Sequence, residues 1–221
     1  MSIKKNLEPI LNSLPTGVKL ITVSKTKPNE QIMEAYDTGI RIFGESKPQE
    51  LSRKWSELPK DIEWHIIGHL QTNKVKYIAP FVSVVHAVDS LKLLRTINKE
   101  ALKNNRLIPF LFQMHIADEE TKFGLSIDEI YSIINSDDFK AFENVKPVGL
   151  MGMATFTENM DQVRSEFQYL KTCFDRIKND FFADDDRFKE ISMGMSNDYK
   201  IAIEEGSTMV RIGSSIFGLR H

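Results

Sequence analysis

Residues 18–28 read VKLITVSKTKP. A β-branched, apolar run ends at Ser24, and two lysines, Lys25 and Lys27, follow it two positions apart. Its apolar residues include neighbours in sequence, as in a strand covered on both faces, and such strands belong to parallel sheets wrapped by helices. The next side chain, Lys25, then stands at the mouth of whatever the strands build. Alternation puts Lys25 and Lys27 on the same side, so spacing alone does not choose between them. Lys25 is the nearer to the strand end. Lys27 precedes Pro28 in a loop and is expected to be solvated.

The same pattern returns seven more times, at 40–43, 62–67, 82–88, 108–116, 146–151, 188–192 and 209–212. Helix signals fill the gaps. Over 158–178, Met160, Val163, Phe167, Leu170, Phe174 and Ile177 recur at three- and four-residue steps and form one apolar stripe. Ser126 and Glu129 have capping-box spacing ahead of Ile127, Ile130 and Ile134, and so do Ser46 and Gln49, with Pro48 tolerated in a first turn. Ser90 can cap a helix over 90–104, Gly206 can end one that starts near Ser196, and a further helix over 4–13 precedes the first strand. Eight strand–helix units predict an α/β fold, a single closed (β/α)8 barrel with an extra N-terminal helix, spanning 1–221 as one domain. An open doubly wound sheet is the alternative. No GxGxxG follows the first strand, which weakens its dinucleotide-binding version.

Composition sets the outer limits. The chain has 221 residues, 41% hydrophobic and 27% charged, with a formal net charge of −2 and no long basic run. A chain of this size buries roughly 70% of its unfolded surface and needs no staples. Nucleic-acid binding through a basic patch is disfavoured. There is no signal-peptide core and no run of 18 apolar residues, so a cytoplasmic location with no membrane partner is expected. Cys173 is the only cysteine, which excludes an internal disulfide and, beside the apolar stripe, reads as a buried thiol.

In a (β/α)8 barrel the active site lies at the C-terminal ends of the strands. Here those ends carry Lys25, Gly44 and Glu45, His65 and His69, His86 and Asp89, His115, and the loops SMGMSND and IGSSIFG. The last two follow strands seven and eight, where such barrels commonly bind phosphate. Gly213 permits close backbone approach, Ser214 and Ser215 offer hydroxyls and amides, and Ser192 and Ser196 can add donors. Ser214 serving only as a helix cap is the plainer alternative. The histidines lack HExxH spacing and a carboxylate cluster, so no metal is expected. His86, at the end of an apolar strand, is a candidate to face a ligand. A phosphate site opposite a strand-end lysine suggests a phosphorylated aldehyde, and pyridoxal 5'-phosphate is the obvious cofactor of that kind.

Several segments, taken together and in order, carry a resemblance. They are VSKTKP, FGE followed by QEL, WHIIGHLQTNK, HAVDS, GLMGMATFTEN and ISMGMSNDYKIAIEEGSTMVRIGSSIFG. Over about residues 18–218 the chain resembles the pyridoxal phosphate homeostasis protein family. The resemblance implies a barrel like the N-terminal half of alanine racemase, with pyridoxal phosphate held as a Schiff base on the first lysine of SKTK, Lys25. It puts the phosphate at Ser192, Gly213 and Ser214, adds Met193 and His86 to the cofactor's surroundings, and turns Arg211 toward the pyridine nitrogen. An arginine there leaves that nitrogen unprotonated and the ring a weak electron sink. The chain departs from the family pattern at Ser46, where FGEN is usual, with Lys47 and Pro48 following; at Ser214, often Thr; and at Ile66, usually Phe or Met. Lys47 is expected to face solvent.

The family is understood to buffer the cofactor in vitamin B6 homeostasis rather than to catalyse, so no catalytic residue is assigned. PLP-dependent apoenzymes are the implied recipients and a monomer is expected. The alternative is a PLP-dependent amino-acid racemase. A racemase needs a second acid/base on the opposite face of its substrate, and the eighth strand ends too near His221 to leave room for the added β domain that supplies one.

Overall fold

The computed structural model of the chain describes residues 2–118 and 123–218. Eight parallel strands close on themselves in sequence order, β1 (Lys19–Val23), β2 (Ile42–Glu45), β3 (Glu63–Ile66), β4 (Val84–Val88), β5 (Ile108–Met114), β6 (Val145–Gly152), β7 (Glu190–Ser192) and β8 (Met209–Ile212). Closure is made by β1 and β8, with Ile21 opposite Arg211 and Thr22 opposite Ile212. The protein is thus a (β/α)8 barrel, and α1 (Ile3–Ser13) precedes β1.

Around the strands run α2 (Asn29–Asp37), α3 (Pro48–Glu57), α4 (Leu91–Lys103), α5 (Ile127–Asn135), the short α6 (Asp137–Lys140), α7 (Met160–Phe181), α8 (Tyr199–Glu204) and the four-residue α9 (Ser214–Phe217). Local chemistry explains their limits. Ser126 accepts from the Glu129 N–H while Glu129 reaches back to the Ser126 N–H, a complete capping box. Ser90 accepts from Leu93 at the start of α4. Gly206, at φ +93°, takes the left-handed turn that follows α8. The stripe of α7 buries Val163, Phe167, Leu170, Cys173, Phe174 and Ile177 against the sheet, whereas Met160, in its first turn, is 37% exposed. Each large apolar side chain buried this way contributes about 2 kcal/mol.

Three expectations change. The β2 strand lies two residues later than its apolar run, because the barrel ladder continues through Gly44 and Glu45, which pair with His65 and Ile66. The gap after β3 holds a 310 segment, Thr72–Tyr77, in place of an α-helix. Ser46 and Gln49 do not form a capping box: Pro48 is the first residue of α3, the cap is Lys47 in extended conformation, and no side chain caps the helix.

Two cores result. One lies between sheet and helices. The other fills the barrel, where Ile21, Ala87, Leu111, Met151 and Met209 pack together. Polar side chains interrupt this second core, and they lead to the site.

Candidate cofactor site

A cavity of about 380 Å³ opens at the C-terminal end of the barrel. Its wall includes Lys25 and Lys27 from the β1–α2 turn, Ser46 after β2, Met153 and Phe156 after β6, Ser196 to Asp198 after β7, and Arg211, Gly213 and Ser214 from β8 and its end. Lys25 is half-buried there. Lys27 is not simply solvated: its ammonium donates to the carbonyls of Phe217 (3.2 Å) and Gly218 (3.4 Å), beyond the last turn of α9. Both lysines therefore line the cavity, and the ammonium of Lys27 is held by carbonyls at the far end of α9. Lys47 is exposed and absent from the wall.

Arg211 forms the inner wall. Inward-facing on β8 and 4% exposed, it donates through Nη1 to the Ser192 carbonyl (2.8 Å) and Oγ (2.6 Å), and through Nη2 to the Gly152 carbonyl (3.0 Å). One guanidinium so ties β6, β7 and β8 together and keeps further N–H groups to offer. Burial lowers its pKa to about 10, with Asp198 opposing, so it remains a cation at neutral pH.

Behind Arg211 a polar chain crosses the barrel. Ser192 Oγ lies 2.9 Å from His86 Nδ1, and His86 Nε2 lies 2.9 Å from His65 Nδ1. Arginine can only donate, so Ser192 Oγ accepts from it and turns its own proton to His86 Nδ1; His86 then carries its proton on Nε2 and donates to His65. Both rings are neutral. Burial pushes His65 down to about 3, and burial, with His65 and Arg211 nearby, holds His86 well below the usual histidine value.

The wall around Ser196 is looser. Ser196 Oγ accepts from the Gly213 N–H at 3.4 Å and the Ser215 N–H at 3.5 Å. Both are at the limit of hydrogen bonding, so these amides and the Ser196 hydroxyl are available to an anion. Gly213 is required by close approach: a Cβ there would stand 2.9 Å from the Val23 carbonyl oxygen.

Of the residues picked out by sequence, Lys25, Arg211, Gly213 and Ser214 meet on one wall. Ser192 and His86 lie beneath Arg211 instead, both fully buried, because their strands aim them across the barrel. Met193 follows Ser192 and, by alternation, packs in the outer core. Residues missed by sequence include Met153 on the wall, and Glu50 and Lys54 behind the Lys25 turn, while Glu45, Asn197 and Asp198 were placed at strand ends without a role. Lys54 did carry a signal: it falls three residues after Leu51 on the buried face of α3, where a solvated lysine has no place. Among the described residues, no group of three or more His, Cys, Asp or Glu could hold a metal ion, and no helix is long and apolar enough to cross a membrane.

A lysine, a buried arginine and a loose set of amides and hydroxyls thus surround one cavity. The family model of the alanine racemase N-terminal domain matches residues 1–221. The chain is 39% identical over 203 residues, 91% of its length and 87% of the relative's, to the pyridoxal phosphate homeostasis protein of Aquifex aeolicus. It is similar to the structure of PipY from Synechococcus elongatus with PLP bound, at 30% identity and TM-score 0.88, over 98% of this chain and 100% of that one. An alanine racemase of Clostridium difficile shares the fold at 14% identity, TM-score 0.76, with 57% of its chain covered.

Proposed function

The chain belongs to the pyridoxal phosphate homeostasis protein family, within the alanine racemase N-terminal-domain family, and we propose that it is a non-catalytic carrier that binds and releases pyridoxal 5'-phosphate to keep its intracellular level. The observation that carries this reading is the meeting of Lys25, Arg211 and the Ser196–Gly213 amide set around one cavity.

Lys25 takes the aldehyde end. When bound, the cofactor would supply an electrophilic aldehyde carbon, and the Lys25 amine would hold it there through a bond that water can reverse. Arg211 faces the ring nitrogen and, as a donor only, favours its unprotonated form. This withholds the positive charge that makes the ring an electron sink. Ser196, Gly213, Ser214 and Ser215 take the phosphate through hydroxyls and amides. Gly213 rather than Ser192 is the backbone contact, since Ser192 is spent on Arg211 and His86.

The lining argues against a racemase in the same terms. Two-sided proton transfer needs a second positioned acid/base. No histidine or tyrosine lines the cavity among the described residues. Lys27 is engaged by carbonyls, and the Asp198 carboxylate accepts the Met195 N–H at 2.5 Å. On this proposal the protein is a cytoplasmic monomer whose released cofactor reaches apoenzymes.

The test is the absorption spectrum of purified protein with added pyridoxal phosphate, wild type beside Lys25→Ala, followed by borohydride reduction and peptide mapping. The expected result is a long-wavelength band in the wild type alone, the reduced adduct on the Lys25 peptide, and no exchange of the α-hydrogen of amino acids above the rate of free cofactor. An identical spectrum in both proteins would overturn the assignment of Lys25. Rapid α-hydrogen exchange would favour the racemase.

A further inference from the structure

Lys25 sits at the second position of a turn, 24–27, closed by the Lys27 N–H donating to the Ser24 carbonyl at 3.0 Å. The third position, Thr26, has φ 65°. Turns of this shape normally place glycine there, and a β-branched residue in the left-handed region is strained. Something outside the turn has to hold it.

One helical turn of α3 does so. Lys54 is fully buried and spends its ammonium protons on three acceptors: the Ser24 carbonyl (2.8 Å), Glu45 Oε1 (2.8 Å) and Glu50 Oε1 (2.7 Å). Glu50 Oε1 also accepts the Thr26 N–H at 2.7 Å. Glu45 Oε1 accepts the Ser24 hydroxyl at 2.6 Å. The two peptide groups that flank Lys25 are therefore both gripped, one by its carbonyl and one by its N–H, from residues four apart on one helix. An ordinary structural ion pair would join two side chains; this one reaches past them to the main chain on either side of a single residue.

We propose that Glu50 and Lys54, backed by Glu45, are positioning residues that hold the strained turn and aim the Lys25 amine into the cavity before an aldehyde arrives. The inference rests on Lys25 as the attachment point. Pre-organised geometry raises the rate of a bond-forming step because orientation is settled in advance. With the grip removed, Thr26 relaxes to negative φ and Lys25 swings with it.

The experiment measures two quantities, the rate at which pyridoxal phosphate is captured as a borohydride-fixed adduct and the hydrogen exchange of the Thr26 and Lys27 amides in ligand-free protein. Lys54→Met leaves two carboxylates in a buried site without their cation, and its fold is checked by circular dichroism. Glu50→Ala, nearer the surface, tests the same grip if Lys54→Met does not fold. The expected result for Glu50→Ala is about tenfold slower capture and loss of Thr26 amide protection, equivalent to about 1.4 kcal/mol in the barrier. Adding Thr26→Gly to that background restores most of the rate, because glycine adopts the turn without help. Folded variants that capture the cofactor at the wild-type rate would overturn the proposal, and so would slowed capture that Thr26→Gly does not restore. If wild-type protein captures nothing while its Thr26 amide is protected and Glu50→Ala releases it, the grip stands and the role of Lys25 falls. An unprotected Thr26 amide in the wild type removes the grip itself.

Discussion

Arg211 and Ser196 face the same cavity and are held in opposite ways. Arg211 is dug into the barrel, with donors on the Ser192 carbonyl, the Ser192 hydroxyl and the Gly152 carbonyl, and a serine and two neutral histidines behind it. Ser196 accepts two amides at 3.4 and 3.5 Å at the edge of solvent. The first arrangement has every partner in place before a ligand comes. The second has spare capacity that a phosphate would use. A reversible carrier needs both: a fixed wall to define the ligand's orientation, and an open end that lets the anion enter and leave. The contrast gives a rule. Changes on the buried wall should cost folding stability, and changes on the open wall should cost affinity.

The largest effect is expected from acid. Burial pushes His65 down to about 3, and His86 is also held well below the usual value near 6.5. An unfolded chain takes up protons on these rings below about pH 6.5, and the folded protein does not. Stability is therefore complete above that pH and is lost as pH falls toward 3. At pH 4.5 the loss from His65 alone is about 3 kcal/mol, and His86 adds to it in the same direction. Urea unfolding at pH 7 and pH 4.5, wild type beside His65→Gln, measures this. The variant should lose the His65 share of the pH dependence and keep that of His86. Equal dependence in both proteins would mean that the rings protonate within the fold and the chain is not closed as described.

A middle-sized effect is expected at Ser192→Ala. It removes one acceptor of Arg211 and leaves His86 Nδ1 facing a methyl group in a buried site. An unpaired buried polar group costs about 2 kcal/mol. Urea unfolding at pH 7 should show that loss. Unchanged stability with weakened cofactor binding would reverse the rule for this wall and return Ser192 to the phosphate.

How much of this could be read in the primary structure depends on where the information lies. All eight strands were legible because β-branched runs such as VKLITV and IPFLFQM are local facts. Lys25, Gly213 and Ser214 were legible because each follows a strand, and strand ends converge in a barrel, whereas the choice of Lys25 over Lys27 and the role of Arg211 came from the family resemblance. What sequence could not supply was pairing across the barrel. His65 and His86 are 21 residues apart, and His86 and Ser192 are 106 apart; no spacing announces either contact. Lys27 was misread as solvated because its carbonyl partners, 190 and 191 residues away, are brought to it only by closure of β8 on β1. Ser46 had capping-box spacing, yet a proline two residues later moved the start of the helix.

The smallest effect sharpens the contrast most. Ser196→Ala deletes only two long hydrogen bonds, so folding stability should change by less than about 0.5 kcal/mol. If the hydroxyl is spare capacity for an anion, its loss should still weaken pyridoxal phosphate binding about fivefold, roughly 1 kcal/mol, the worth of one hydrogen bond. Pyridoxal, which has the same aldehyde and ring nitrogen and lacks the phosphate, should bind both proteins alike. Parallel titrations with the two aldehydes read the difference directly. A matching loss for pyridoxal would mean that Ser196 shapes the whole cavity. A loss of stability without loss of affinity would mean that its long bonds are structural, and that the two walls differ in exposure rather than in purpose.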